Sequence, residues 1–190
     1  MKPKPMTQRD RETMARAAER LADDDHLLKE LCIERPEWIP EVLRGLAIEG
    51  DLGWEDGALL FGYSHGIKRR WVDLAGRHFR WDCGGTNSEC WRQSLLCSSH
   101  HRIYITEGET DAITLLGIGV EDPGDCLVLG LPGNTAYPES ASFHGKNIIL
   151  IPDPDLAGQN TASVLTQRLK PVAASIVTIN IADIFKQEAA

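Results

Sequence analysis

The first third of the chain has the hydrophobic spacing of helices. Between Thr7 and Leu31 the apolar residues recur every three or four positions, and Thr7-x-x-Asp10 supplies an N-terminal capping signal. Three consecutive aspartates at 23–25 interrupt this segment, so we expect two helices, the second beginning with an aspartate N-cap near Asp25. A further short helix is predicted over Glu41–Ile48, behind Pro36 and Pro40.

From Ala58 onward the spacing changes to that of strands. Residues 58–63, 67–74 and 77–82 are short runs typical of strands, and they are separated by turn sequences at 64–66 and 75–76. This pattern predicts an antiparallel meander. The glycine-rich residues 84–88 are predicted to form a loop.

The second half alternates short apolar strands with helices. Strands are predicted at 102–106, 126–131, 147–151 and 175–179, and helices at 110–116 and 157–169. Such alternation predicts an α/β fold with a parallel sheet flanked by helices, preceded by a smaller α+β subdomain. We therefore divide the chain into a helical region (1–56), a basic antiparallel region (57–100) and an α/β domain (101–190).

The overall charge hides a local reversal. The formal net charge is −8, which ordinarily argues against nucleic-acid binding, because clustered Lys and Arg hold phosphates. Between Gly57 and Arg92, however, six positive residues face three negative ones. The positive residues are Lys68, Arg69, Arg70, Arg77, Arg80 and Arg92.

Composition also indicates where the protein is expected to be located and whether its cysteines are expected to be reduced. No apolar run is long enough to cross a bilayer and the first ten residues lack the apolar stretch of a signal peptide, so a cytoplasmic protein is expected. The five cysteines contain no Cys-x-x-Cys pair, and we expect reduced thiols. The spacing of Cys83, Cys90 and Cys97, with His100 and His101 nearby, is not typical of a structural zinc site.

Acidic residues follow two of the predicted parallel strands. Glu107-Gly108 follows the first strand and Asp153-Pro154-Asp155 follows the third. Because the carboxyl ends of parallel strands share one edge, three carboxylates are expected to meet there. Their mutual repulsion favours a divalent cation, and oxygen ligands favour Mg²⁺, or Mn²⁺. We expect Gly108 to allow a sharp turn and Gly158 to allow close approach of a phosphate.

In this order, Glu107-Gly108-x-x-Asp111 and Asp153-x-Asp155-x-Ala157-Gly158 resemble the motifs of the Toprim domain. That fold is shared by bacterial-type primases, topoisomerases of types IA and II, recombination mediator proteins and OLD-type nucleases. The resemblance covers residues 102–190. It implies that Glu107 acts as general acid or base and shares in metal binding, and that Asp153 and Asp155 hold Mg²⁺. Asp111 matches a frequent acidic position and is either a secondary ligand or a helix cap.

The residues before this domain are similar, more weakly, to the N-terminal subdomain of phage and plasmid primase cores. That similarity implies that Lys68, Arg69, Arg70 and Arg80 bind template or nucleotide phosphates. Strand alternation places Lys68 and Arg70 on one face and Arg69 on the other. Core packing is favoured over base stacking for the tryptophans Trp71, Trp81 and Trp91. Asp183 matches a further acidic motif of primases only loosely, and a surface aspartate is the favoured interpretation.

Together these resemblances imply a primase-like, Mg²⁺-dependent nucleotidyltransferase that makes RNA primers on single-stranded DNA in a phage or mobile-element system. The implied partners are the template, nucleotides, and a separate helicase or zinc-module protein. Two alternatives stay open. One is a Toprim nuclease that uses the same acids to cleave phosphodiesters, and the other is a non-catalytic module that binds nucleic acid.

Overall fold

The computed structural model describes residues 6–71, 79–85, 88–133 and 135–188. The chain divides into two compact units, Met1–Thr86 and Asn87–Ala190. The helical region and the antiparallel region thus share the first unit, and residues 88–100 belong with the parallel sheet. Within the described residues, every helix is too short or too polar to traverse a bilayer.

Three helices open the first unit: α1 (Gln8–Asp23), α2 (Asp25–Glu34) and α3 (Pro40–Ile48). Thr7 and Asp10 form a reciprocal capping box at the start of α1. The side chain of Asp24 accepts the backbone N–H of Leu27 at 2.9 Å, so this aspartate ends α1 and caps α2. The predicted division of the first segment at its acidic run is confirmed.

The first unit also contains a four-stranded antiparallel meander. Its strands are β1 (Leu52–Glu55), β2 (Ala58–Tyr63), β3 (Gly66–Trp71) and β4 (Phe79–Cys83), paired in chain order. The short strand-like runs in the sequence predicted β2, β3 and β4, whereas β1 was not anticipated. The turn predicted at 75–76 lies outside the described residues.

Helix α1 covers one face of this meander. Met14 and Ala17 pack against Leu60 and Ile67 in a buried cluster. Gly53 of β1 makes the close approach possible, because a Cβ at that position would lie 2.8 Å from the Cβ of Ala17. The short strand β1 is therefore held by helix packing rather than by a strong strand pattern of its own.

The second unit is an α/β unit with a four-stranded parallel sheet, as expected. Its strands are β5 (Arg102–Thr106), β6 (Cys126–Gly130), β7 (Asn147–Ile151) and β8 (Ser175–Thr178), in the spatial order β6-β5-β7-β8. The helices are α4 (Glu109–Ile118), α5 (Leu156–Leu169) and α6 (Ile181–Glu188). Helix α6 was not anticipated.

The segment before β5 adds a short antiparallel bridge to the edge of the sheet. The backbone N–H of Trp91 donates to the carbonyl of Gly130 at 2.7 Å, and the Trp91 side chain is fully buried. The Arg92 guanidinium binds both carboxylate oxygens of Glu121 at 2.7 and 2.8 Å. Trp91 is thus a core residue, and the charge of Arg92 is neutralised within the protein.

Candidate functional site

The parallel sheet reverses its connection order between β5 and β7. From β5 the chain passes through α4 to β6 on one side, and from β7 it passes through α5 to β8 on the other. In open α/β sheets, ligands bind in the crevice that this reversal creates at the carboxyl ends of the two strands. Glu107 directly follows β5, and Asp153 follows β7 by two residues. The topology therefore places both acids at the position expected for a binding site.

A hydrogen bond joins these two loops. The Glu107 Oε2 atom accepts the backbone N–H of Asp153 at 3.0 Å. The ends of the strands are in register, since Thr106 pairs with Ile151. The Glu107 side chain therefore reaches across from β5 to the loop after β7, and both residues are half-buried.

Gly158, in the first turn of α5, makes room for this contact. An added Cβ would lie 2.5 Å from Glu107 Oε2 and 2.8 Å from the backbone nitrogen of Asp153. Gly158 was expected to allow close approach of a phosphate, and in the structure the atoms closest to it are protein atoms of Asp153 and Glu107. The helix start is thereby packed directly against the acidic loop.

The other two acids differ in their surroundings. Asp155 is exposed and is the N-cap of α5, with Oδ1 accepting the backbone N–H of Gly158 at 2.8 Å. The Asp153 side chain forms no hydrogen bond or ion pair with any residue that the structure describes. With respect to the described residues, one carboxylate oxygen of Asp155 and the Asp153 carboxylate are thus uncommitted to hydrogen bonds.

The loop between β5 and α4 carries a buried carboxylate that sequence reasoning missed. Glu109 is only 1% exposed, in the first turn of α4. Gly130 at the end of β6 allows this turn to approach, because a Cβ there would lie 2.8 Å from the Cα of Glu109. The buried Thr106 hydroxyl donates to the carbonyl of Gly108 at 2.8 Å and fixes the loop. No feature of the sequence distinguished Glu109 from an exposed helix-start glutamate.

Gly108 does not turn sharply, contrary to expectation. Its φ of −141° and ψ of 161° are extended values that any residue adopts. Its role is steric, since an added Cβ would lie 3.0 Å from Asp111 Oδ2. The Asp111 carboxylate is therefore folded back over the N-terminal turn of α4, where the helix dipole stabilises negative charge.

The donor atoms suit a hard cation, and their arrangement is not that of a closed metal cage. Carboxylate oxygens at Glu107, Asp153 and Asp155 are the ligand type that Mg²⁺ prefers. Across residues 6–71, 79–85, 88–133 and 135–188, no three His, Cys, Asp or Glu side chains are arranged to hold one metal ion. Asp183 is an exposed residue of α6, which follows the carboxyl end of β8.

Of the basic residues in the first unit, Arg69 is neutralised by the protein. Its side chain is 6% exposed, and its guanidinium contacts Glu55 Oε2 and Asp82 Oδ2, each at 2.7 Å. It also donates to the Glu55 carbonyl at 2.9 Å. These contacts make Arg69 a structural cation, which its position in the sequence did not reveal.

The other three basic residues that were predicted to bind phosphates differ in exposure. Lys68 is 4% exposed with Nζ 4.6 Å from the ring centroid of Phe79, and Arg70 is half-buried. Arg80 has a 64% exposed side chain that contacts Asp82 at 2.9 Å and lies 5.1 Å from the Trp71 ring centroid. The exposed Arg80 thus lies beside the half-buried ring of Trp71.

Trp81 lies elsewhere in the same sheet and packs edge-on against Tyr63, with ring centroids 4.9 Å apart. The strand pairing places Lys68 opposite Trp81 and Arg69 opposite Arg80, so the predicted distribution of the three consecutive cations over two faces is confirmed.

No protein-family model and no curated protein matches this chain.

Proposed function

We propose that the second unit is a Toprim-type domain and that the protein is a primase-like, Mg²⁺-dependent nucleotidyltransferase. The observation that carries the proposal is the contact between Glu107 and Asp153 at the point where the sheet reverses its connections. That position combines the expected location of a ligand crevice with acids in the order of the Toprim motifs.

In this proposal each acid has a separate task. The Asp153 carboxylate and the second oxygen of Asp155 would hold the ion, while Asp155 Oδ1 continues to cap α5. Glu107 would receive the proton of the attacking hydroxyl and share in binding the ion. A bound ion would stabilise the negative charge of a phosphoryl transfer and reduce the repulsion between the acids.

The first unit would supply the contact to nucleic acid. Arg80 offers an exposed guanidinium next to Trp71, a combination suited to a phosphate and an adjacent base. Arg69 does not take this role in the proposal, because two carboxylates already neutralise it. Arg70 and Lys68 stay candidates for weaker contributions through their positive charge.

The direct test is primer synthesis. The protein is incubated with single-stranded DNA, labelled ribonucleotides and Mg²⁺, and products are resolved by length. The variant Glu107→Gln retains an acceptor for the Asp153 N–H but loses the charge, and Asp153→Asn removes a ligand. We expect each to lower synthesis at least about 100-fold, with Glu139→Gln, an exposed glutamate in the same unit, as the unaffected control.

One observation favours a second candidate, a non-catalytic Toprim module that binds nucleic acid. Both Glu107 and Asp155 already stabilise the local fold through hydrogen bonds to backbone N–H groups. Under that candidate no nucleotide is incorporated, whereas binding to labelled single-stranded DNA persists in Glu107→Gln and Asp153→Asn. A shortened template without extension products would instead indicate the nuclease.

A further inference from the structure

A second cleft lies at the opposite edge of the parallel sheet from Glu107. His101 and Lys146 directly precede β5 and β7, so they mark the amino ends of these strands. The cleft has a volume of about 600 Å³, and its lining includes Gln93, Cys97, Ser98, His101, His144 and Lys146. This volume lies within the range of small-molecule sites.

The cleft contains a buried cation without a carboxylate partner. Lys146 is 9% exposed, and its Nζ donates to the carbonyls of Cys97 at 2.8 Å and Ser98 at 3.2 Å. Among the described residues Lys146 forms no ion pair, and no Asp or Glu lines the cleft. Because the two carbonyls carry no negative charge, they do not neutralise the Lys146 ammonium. Such a site favours a negatively charged ligand.

Cys97 lines this cleft, and its exposed thiol contacts two polar side chains. Its Sγ lies 3.3 Å from His100 Nδ1 and 3.0 Å from Ser99 Oγ. The same Nδ1 accepts the backbone N–H of Cys97 at 3.2 Å. The Ser99 hydroxyl, and more weakly Lys146, lower the pKa of the Cys97 thiol below its ordinary value of 9.0. Thiolate formation is thus favoured at this position.

The other four cysteines have the opposite environment. Cys90 and Cys126 are buried, and burial raises the pKa of both thiols. Cys32 and Cys83 are partly buried, and burial likewise raises their pKa. Reactivity at neutral pH should therefore concentrate on Cys97.

We propose that Cys97 is a thiol-modification site that forms mixed disulfides with small, negatively charged disulfides. The Cys97 thiol releases its proton to solvent, and the thiolate attacks one sulfur of the incoming disulfide. A bond forms between that sulfur and Cys97 Sγ, the original S–S bond breaks, and the released thiolate takes up a proton. Cys97 is oxidised while half of the incoming disulfide is reduced to a thiol. The positive charge of Lys146 attracts the anionic reagent.

The test compares two disulfides of opposite charge. The reduced full-length protein is treated with oxidised glutathione, which is negatively charged, or with cystamine, which is positively charged, and modification of all five cysteines is followed by peptide mass spectrometry. We expect Cys97 to react fastest. We also expect its rate ratio for oxidised glutathione over cystamine to exceed that of Cys32 by at least about fivefold.

Two variants separate the roles of the cleft. Lys146→Gln retains a donor to the two carbonyls but lacks the charge, so the preference for oxidised glutathione should fall to the ratio seen at Cys32. His100→Asn should move the pH midpoint of the Cys97 reaction upward. If Lys146→Gln lowers the melting temperature, the protein without the substitution is assayed at high salt instead. Salt screens the charge of Lys146, so it should also abolish the preference of Cys97 for oxidised glutathione. The proposal is overturned if Cys97 reacts no faster than Cys32. It is also overturned if the rate ratio for oxidised glutathione over cystamine is the same at the two cysteines.

Discussion

The carboxylate of Glu107 accepts the backbone N–H of Asp153 at 3.0 Å, although 46 residues separate the two in sequence. This bond ties the loop after β5 to the loop after β7, where the connections of the sheet diverge. It has two consequences. The position of Glu107 is fixed before any ligand binds, which is what a preorganised site requires, and a change to its surroundings affects both loops together.

Gly158→Ala should destabilise the second unit, because the new methyl group would overlap the backbone carbonyl oxygen of Asp153 and lie 2.8 Å from the backbone nitrogen of that residue. Overpacking of this kind costs about 1–3 kcal/mol, and urea unfolding measures it. The matched control is Gly45→Ala in α3, where a Cβ meets nothing within 4 Å. There we expect about 0.5–1 kcal/mol of stabilisation from helix propensity. Equal effects at the two positions would disprove the packing of Gly158 against the loop of Asp153.

Arg69→Met should lower the stability of the first unit by about 3 kcal/mol, because it leaves Glu55 and Asp82 without their buried cation. Arg80→Met removes an exposed cation and should change stability by at most about 1 kcal/mol. Chemical unfolding of both variants gives the comparison. The effects on binding to single-stranded DNA should have the opposite order. Arg80→Met should lose more affinity for the DNA than Arg69→Met. A stable Arg69→Met variant with impaired DNA binding would show that Arg69 contacts phosphate.

Stability should fall above pH 9 because of a buried thiol. Burial raises the pKa of Cys126 to about 11 from an ordinary 9.0. Above pH 9.0 the unfolded chain loses this proton while the folded chain keeps it, so stability falls until the pH reaches about 11, by up to about 3 kcal/mol. Burial raises the pKa of Cys90 in the same direction.

Urea unfolding of the reduced protein across this pH range tests the point. Cys126→Ala lowers stability at neutral pH through the lost contacts of the sulfur, but its decline between pH 9.0 and about 11 should be shallower than that of the unmodified chain. Identical slopes would mean that the Cys126 thiol titrates alike in the folded and unfolded states.

Much of the fold is readable in the sequence because its signals are local. The acidic run that divides α1 from α2 and the apolar strands β2, β5, β6 and β7 each follow from residue types within one short window. Strand β1 was missed because its four residues hold only Leu52 and Trp54 as strand formers, and packing of Gly53 under Ala17 secures it. That contact is a property of the tertiary structure.

The candidate site could likewise be predicted from the sequence only in part. That Glu107 and Asp153 share one sheet edge follows from strand order alone. The N-cap role of Asp155, the burial of Glu109 and the neutralisation of Arg69 depend on which partners arrive from distant segments. A run of three cations gives no local indication that Glu55 and Asp82 will neutralise its middle member.

The most direct test of the central proposal is anomalous diffraction from crystals soaked in Mn²⁺. The account predicts a peak at the carboxyl ends of β5 and β7, about 2.1 Å from oxygens of Asp153 and Asp155 and within reach of Glu107, and its loss in Asp153→Asn crystals. A fully occupied Mn²⁺ site elsewhere in the protein, with the Glu107 and Asp153 contact unchanged and no peak beside it, would contradict the proposal.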